Sequence, residues 1–271
     1  MKSLTYTAIA FLAYIYVFKS YGLLATLLFT LVLLAIICWF RRATILTHLA
    51  SRAYFINGDV QKGEKFYKLA YKTGEMNTSC KLSYSSFCLR ENNHEKARRL
   101  LNEIINSKKS ATPDKINAKH NLAVLTWKEG DLDGAVKMLE ILHKEMPATN
   151  SYGTLGVLYL EKAKRDKNFE EYLPFMKEAY DYNSSDKTIA DNLGELYYNL
   201  GEYDKAKEVY DELLTKELFT PMPYYNYALV LKALGDIDGA RKYFDKALSC
   251  RFTSVLTITR EMIQAELDSL N

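Results

Sequence analysis

The hydrophobic pattern divides the chain into two parts. Between residues 4 and 40 the only charged residue is Lys19, whereas charged and apolar positions alternate from Arg41 onward. The first pattern is typical of a membrane segment, and the second indicates amphipathic helices. We therefore predict a membrane anchor over residues 1–42 and a helical domain over residues 43–271.

The predicted anchor consists of two apolar runs on either side of Lys19. The second run, residues 22–40, contains 19 residues, and a helix of that length spans about 29 Å, which matches the hydrocarbon thickness of a bilayer. The first run, residues 4–18, is short for a full span. It is either a second span, joined to the other by a tight hairpin turn at residues 19–22, or a re-entrant or interfacial segment. A cleaved signal peptide fits less well, because the second run would still hold the protein in the membrane.

The residues that follow the long apolar run predict its orientation. Trp39 and Phe40 form an aromatic pair at its end, and Arg41 and Arg42 come next, with Arg52 further on. Aromatic residues are enriched at the membrane interface, and Arg and Lys are enriched on the cytoplasmic side. We therefore expect an integral protein of the cell membrane whose helical domain faces the cytoplasm.

The connection between anchor and domain is predicted to be one unbroken helix. Between Gly22 and Asn57 there is no proline and no further glycine, so nothing stops a helix before Asn57. Such a helix would form a rod of about 52 Å. The alternative is a kink at residues 41–43, and non-helical dihedral angles anywhere in residues 41–47 would contradict the rod.

A short phrase recurs along the rest of the chain. It consists of glycine, a polar residue, an apolar residue, an acidic or polar residue, any residue, and then alanine or glycine, with an aromatic or aliphatic residue four positions further on. It begins at Gly58, Gly130, Gly201 and Gly235, and in a fifth copy Asn92 takes the place of the glycine. Two of the intervals are 34 residues, and the interval from Asn92 to Gly130 is 38 residues. We expect the extra residues to form a loop at residues 108–114.

This pattern resembles the tetratricopeptide repeat, whose period is 34 residues folded as two antiparallel helices. The resemblance covers residues 44–271. It implies an all-α fold, a right-handed αα-superhelix of about six units, with a capping helix over residues 255–270. The units would begin near residues 44, 78, 116, 149, 187 and 221. The fourth unit lacks the turn glycine, so the sequence does not predict a regular second helix in that unit.

Small residues occupy two fixed places in each unit except the fourth, where Tyr172 takes the second place. Two helices can cross closely only where the side chains at the contact are small. We therefore expect these residues to lie at the crossings. On the first helices they are Ser51, Ser85, Ala123, Gly156, Gly194 and Ala228, and on the second helices Gly63, Ala97, Ala135, Ala206 and Ala240.

The resemblance also implies that the first helices line a concave groove that binds other proteins. The candidate groove residues are Asn117, His120, Asn121, Trp127, Asp191, Asn192, Glu195, Tyr198, Tyr225 and Asn226. Asn121, Asn192 and Asn226 share one helical position. An amide there can donate and accept at once, which suits an extended peptide backbone, although a structural role fits the same residues.

Composition and motifs narrow the function further. The 36 Lys and Arg nearly balance the 33 Asp and Glu, which argues against nucleic-acid binding. The four cysteines lack metal-site spacing, and no catalytic motif is present, so we expect no enzyme activity, no metal, no cofactor and no small-molecule substrate. The sequence thus predicts a membrane-tethered scaffold that binds a protein or peptide. The alternatives are an extracytoplasmic assembly or secretion factor and a peptide-sensing regulator.

Overall fold

The chain is all-α throughout the part that the structure describes. The computed structural model describes residues 2–216 and 218–270, and the side chains of residues 13–216 and 218–270. Within these ranges the chain forms α-helices and no β-strand, as predicted. It divides into two compact units, residues 1–84 and residues 85–271.

Fourteen α-helices follow one another along the described residues. They are α1 (Lys2–Phe40), α2 (Arg42–Ser51), α3 (Val60–Lys72), α4 (Thr78–Arg90), α5 (His94–Ile105), α6 (Thr112–Lys128), α7 (Leu132–Glu145), α8 (Thr149–Asp166), α9 (Leu173–Asn183), α10 (Lys187–Asn199), α11 (Tyr203–Leu213), α12 (Pro221–Ala233), α13 (Ile237–Ser249) and α14 (Arg260–Asp268). A π-helical turn, Arg52–Ile56, follows α2, and a 3-10 turn, Glu170–Tyr172, precedes α9.

The N-terminal apolar stretch is helical on both sides of one glycine. Gly22 has φ 76° and ψ −174°, so the helical path of α1 is broken at this residue. A single residue thus takes the place of the hairpin turn predicted at residues 19–22. The helical stretch Ala13–Phe40 has 28 residues, enough to cross a membrane, and most of its large apolar side chains are exposed. The side chains of residues 1–12, which include most of the first apolar run, lie outside the described residues.

The prediction of one unbroken rod is wrong. Arg41 has φ −104° and ψ 10°, which separates α1 from α2. The Arg42 guanidinium lies over the Trp39 ring at 4.4 Å, donates to the Trp39 carbonyl oxygen at 2.8 Å, and pairs with Glu75 at 2.7 Å. These contacts accompany the break at Arg41. They come from the end of α1 and from the loop after α3, so the sequence of the linker alone does not predict them.

The turns between paired helices have the predicted left-handed backbone. Asn92 adopts φ 59°, which confirms that it replaces the turn glycine in its unit. In the fourth unit Lys167 takes the same conformation, φ 54°. The missing glycine is therefore replaced by a residue that bears the strain of the left-handed region.

The small residues lie where the helices cross, as predicted. Gly194 in α10 faces Tyr210 in α11 so closely that a Cβ on Gly194 would lie 2.6 Å from the tyrosine ring. Ala206 and Ala240, the small residues of α11 and α13, are fully buried. Large side chains such as Tyr210 and Phe244 fill the space around these contacts.

The insertions and the C-terminal segment differ from the prediction. The four extra residues before Gly130 lengthen α6 to 17 residues, against 13 in α10, so they extend a helix and only part of the predicted loop remains. The second helix of the fourth unit, α9, is regular and has a proline in its first turn. The last helix covers only Arg260–Asp268, and residues 251–259 are not helical.

We predict that Gly194→Ala destabilises the protein by ~1–3 kcal/mol, because the added methyl group overpacks the Tyr210 ring. Gly153→Ala is the matched control, since its Cβ would meet Thr188 at an ordinary 3.4 Å. In a helix interior that change should stabilise by roughly 0.5–1 kcal/mol. Denaturant unfolding of both variants checks the pair, and equal stabilities would contradict the crossing.

Candidate partner-binding groove

The first helices of four successive repeats in the second unit share one cavity. It has a volume of about 310 Å³ and receives side chains from α6, α8, α10 and α12. We call this surface the groove. Its lining residues are Val124, Trp127, Thr154, Val157, Leu160, Glu161, Thr188, Asp191, Asn192, Glu195, Thr220 and Met222, together with the charged Arg90 at the end of α4. Apolar side chains alternate with hydroxyl, amide and carboxylate groups, a composition typical of a ligand-binding surface.

The C-terminal segment lies across this groove. We call residues 251–259, between α13 and α14, the strap. Val255, Leu256 and Thr257 of the strap complete the lining of the cavity. The Ile258 side chain is buried, and a second cavity of about 230 Å³ begins beside it.

Backbone groups make several of the strap's contacts. The Ser254 amide donates to the Arg90 carbonyl oxygen at 3.1 Å, and its hydroxyl donates to the Leu89 carbonyl oxygen at 2.7 Å. The Lys128 ammonium donates to the Leu256 carbonyl oxygen at 3.1 Å. Leu89 and Arg90 end α4, so Ser254 satisfies carbonyl groups that this helix C-terminus leaves open. At the end of α6 the strap is instead the acceptor, from the Lys128 side chain.

A buried polar network forms the floor of the groove on α10. Asp191 accepts hydrogen bonds from the Tyr210 hydroxyl at 3.0 Å and from the Asn226 amide at 3.1 Å. Glu195 accepts from the same amide at 3.3 Å and pairs with Lys164 at 2.7 Å. The network therefore ties α8, α10, α11 and α12 together.

Burial and neighbouring charges shift the pKa values of two groups in this network, whose carboxylates Asp191 and Glu195 lie one helical turn apart. Burial, with the neighbouring charge of Glu195, raises the pKa of Asp191 to about 7. Burial works against the charge of Lys164, but the carboxylates of Glu195 and Glu161 prevail and raise the pKa of that ammonium. Asp191 is thus the group of the groove whose charge changes near neutral pH.

Seven of the ten predicted groove residues line these two cavities. Four of them line the larger one: Trp127, Asp191, Asn192 and Glu195. The smaller cavity is lined by Glu195 again, with Tyr198, Tyr225 and Asn226. The other three predicted residues, Asn117, His120 and Asn121, line neither cavity. Asn117 is exposed, and the His120 ring contacts the Asn150 carbonyl oxygen at 3.2 Å.

The three equivalent asparagines already bond within the chain. The Asn192 amide donates to the Gly153 carbonyl oxygen at 2.8 Å, and the Asn121 amide donates to the Ser86 hydroxyl at 3.3 Å. The Asn226 amide serves the Asp191–Glu195 pair described above. These bonds describe the structural alternative of the sequence analysis, and pairing with a partner backbone stays a prediction.

Sequence reasoning missed the strap, part of which it placed in the capping helix over residues 255–270, whereas the position of Lys128 in the third repeat did make it a groove candidate. Residues 253–259 read Thr-Ser-Val-Leu-Thr-Ile-Thr, a run of β-branched and hydroxyl residues that favours extended structure over helix. That signal was present and was outweighed by the repeat spacing. The sequence gives no sign that Lys128 bonds to Leu256, because the two residues lie 128 positions apart.

The groove offers no arrangement for metal chemistry. Among the described residues, no three His, Cys, Asp or Glu side chains are grouped to hold a metal ion. The carboxylates of the floor are instead bonded to tyrosine, asparagine and lysine. What the groove can do chemically is bind an extended segment through carbonyl, amide, hydroxyl and apolar contacts.

Comparison with known proteins agrees with this architecture. Residues 192–252 match the sequence model of the tetratricopeptide repeat. The fold is similar to a thermophilic TPR protein of Thermus thermophilus, with a TM-score of 0.57 and 20% identity over 72% of this chain and 98% of that chain. It is also similar to pilF of Pseudomonas aeruginosa, with a TM-score of 0.52 and 13% identity over 83% of this chain and 97% of that chain. No curated protein sequence matches the chain significantly.

The fold and the groove define an α-helical repeat protein built from paired antiparallel helices. Residues 192–252 match the tetratricopeptide-repeat (TPR) family, and the helical fold is similar to that of TPR proteins of known structure, which agrees with the resemblance that the sequence shows.

The raised pKa of Asp191 predicts a pH dependence of stability. The folded state holds a proton that the unfolded state, with a carboxyl pKa of about 3.9, releases. Stability is therefore present at low pH and falls as pH rises from about 4 to about 7. Between about pH 6 and about pH 8, the wild type should lose ~1.4 kcal/mol relative to Asp191→Asn.

Denaturant unfolding of both proteins at the two pH values tests this. The amide keeps an oxygen that can accept from Tyr210 and Asn226, and the other titrating groups are common to both proteins. Parallel pH profiles would contradict the titration of Asp191.

Proposed function

We propose that this protein is a membrane-tethered TPR scaffold that holds a protein partner in the groove of its second unit. The observation that carries the proposal is the cavity shared by α6, α8, α10 and α12, where apolar walls adjoin hydroxyl, amide and carboxylate groups. Surfaces of this composition recognise peptide segments by apolar contact, while a few polar groups set the orientation.

The position of the cavity supports a protein ligand over a small molecule. The cavity is open and extends along several first helices, and a second cavity continues it past Glu195 and Met222. A small molecule is usually enclosed on most of its surface. An extended peptide segment, in contrast, follows such a path through contacts repeated along its length.

Tethering is the second part of the proposal. The apolar stretch Ala13–Phe40 is long enough to cross a bilayer, and Arg41 and Arg42 follow it directly. The charge rule places such arginines in the cytoplasm. We propose that the repeats begin at the cytoplasmic surface and present the bound partner close to the membrane.

Binding in the groove is tested by photo-crosslinking in intact cells. A photoreactive residue at Val157, in the wall of the cavity, should form a discrete adduct with a partner protein, because the partner covers that side chain. The matched position is Lys137, which is exposed on α7, a second helix. An adduct at Lys137 with none at Val157 would move the interaction to the second-helix face.

Topology is tested by a reporter that is active only outside the cytoplasm. Fused after Asn271, it should be silent, because the arginines hold the preceding residues in the cytoplasm. The same reporter fused after an added cleavable signal sequence is the positive control. Activity of the first fusion would favour the extracytoplasmic assembly or secretion factor.

A further inference from the structure

The strap contacts the groove in the way that a bound peptide would. Several of its hydrogen bonds use its own backbone, through the Ser254 amide and the Leu256 carbonyl oxygen. Backbone contacts do not depend on the sequence of the segment, so a second chain can make them equally well. The protein partners of these contacts, Arg90 and Lys128, belong to first helices.

Side chains of the strap add a specific chemistry to these contacts. Ser254 and Thr257 present hydroxyl groups, of which one donates to the Leu89 carbonyl oxygen and the other to the Met222 sulfur at 3.4 Å. Leu256 lines the cavity and Ile258 is buried. The only charge within the strap is Arg251, which pairs with Glu91 at 3.4 Å. The groove thus accepts an almost uncharged, non-helical segment of hydroxyl and aliphatic residues.

The strap fills the groove incompletely. A cavity of about 310 Å³ remains beside Val255, Leu256 and Thr257. A segment that filled this space would gain contacts that the strap does not make. The strap is therefore a ligand that a better-fitting segment can displace.

We propose that the strap is a resident ligand of the groove, and that the partner is a neutral segment of hydroxyl and aliphatic residues that binds by displacing it. This inference rests on the proposed groove function and names the partner's chemistry. Because the strap is part of the same chain, it competes at a high effective concentration. A partner's apparent affinity is reduced by the fraction of molecules whose groove is open.

The test uses the full chain in detergent and a labelled synthetic peptide with the sequence of residues 250–259. The variant Arg251→Ala/Ser254→Ala removes strap contacts and leaves every groove residue intact. It should bind the peptide about tenfold more tightly than the wild type, because its groove is open more often. Ser249→Ala is the matched control, since that hydroxyl bonds to the Lys246 carbonyl oxygen within α13, and it should bind as the wild type does.

Two further arms show where the peptide binds and whether the strap has opened. Lys128→Met, added to the released variant Arg251→Ala/Ser254→Ala, should weaken peptide binding. A peptide with Asp in place of Leu256 and Ile258 should not bind. Hydrogen exchange of residues 251–259 should be faster in the released variant. Arg251→Ala/Ser254→Pro removes the Ser254 amide as well and serves as the stronger release.

Three results would overturn the proposal: a strap that stays protected in both released variants, a strap that opens without any gain in peptide binding, or binding that ignores Lys128→Met. Each would make the strap a structural element only. The Val157 adduct is measured separately, so the scaffold function stands if that adduct forms while the peptide fails to bind.

Discussion

The close approach of paired helices at small residues is the contact on which the rest of the structure depends. At Gly194 the ring of Tyr210 lies where a Cβ would otherwise stand, so α10 and α11 pack at a distance that no larger residue permits. The same approach brings the Tyr210 hydroxyl to Asp191. One packing contact therefore seals the core of a repeat and also fixes a carboxylate in the floor of the groove. Because each repeat of the second unit contacts its neighbours through the same kind of surface, the geometry is carried along that stack.

The groove contains carboxylates, which are costly to bury, beside apolar and hydroxyl side chains, which favour binding of a ligand. Asp191 and Glu195 lie one helical turn apart and are almost completely buried, an arrangement that is stable only because Tyr210, Asn226 and Lys164 bond to them. Replacing a partner would leave a carboxylate without compensation. The network therefore makes the floor rigid, and the adaptable part of the site is the strap, which is held by a few hydrogen bonds and leaves a cavity beneath it.

At the other end of the chain, one arginine has two roles. Arg42 belongs to the charged pair that follows the apolar helix, where it favours a cytoplasmic position. Its guanidinium also lies on Trp39 and pairs with Glu75, which links the end of the apolar helix to the loop after α3. The first repeat is therefore attached to the apolar helix by side-chain contacts as well as by the chain.

Local rules explain what the sequence determined by itself. The repeat period, the left-handed turns at Gly58 and Asn92, the small residues at the crossings and the apolar N-terminal helix each follow from residues close together in the chain. The tertiary structure decided what depends on distant partners. Arg41 leaves the helical conformation next to Arg42, which forms an ion pair with Glu75. The Asn192 amide donates to the Gly153 carbonyl oxygen, 39 residues away. Residues 251–259 are not helical, and Ser254 among them bonds to Leu89, 165 residues away. Helix periodicity records which face of a helix is buried, but it carries no information about which distant segment covers that face.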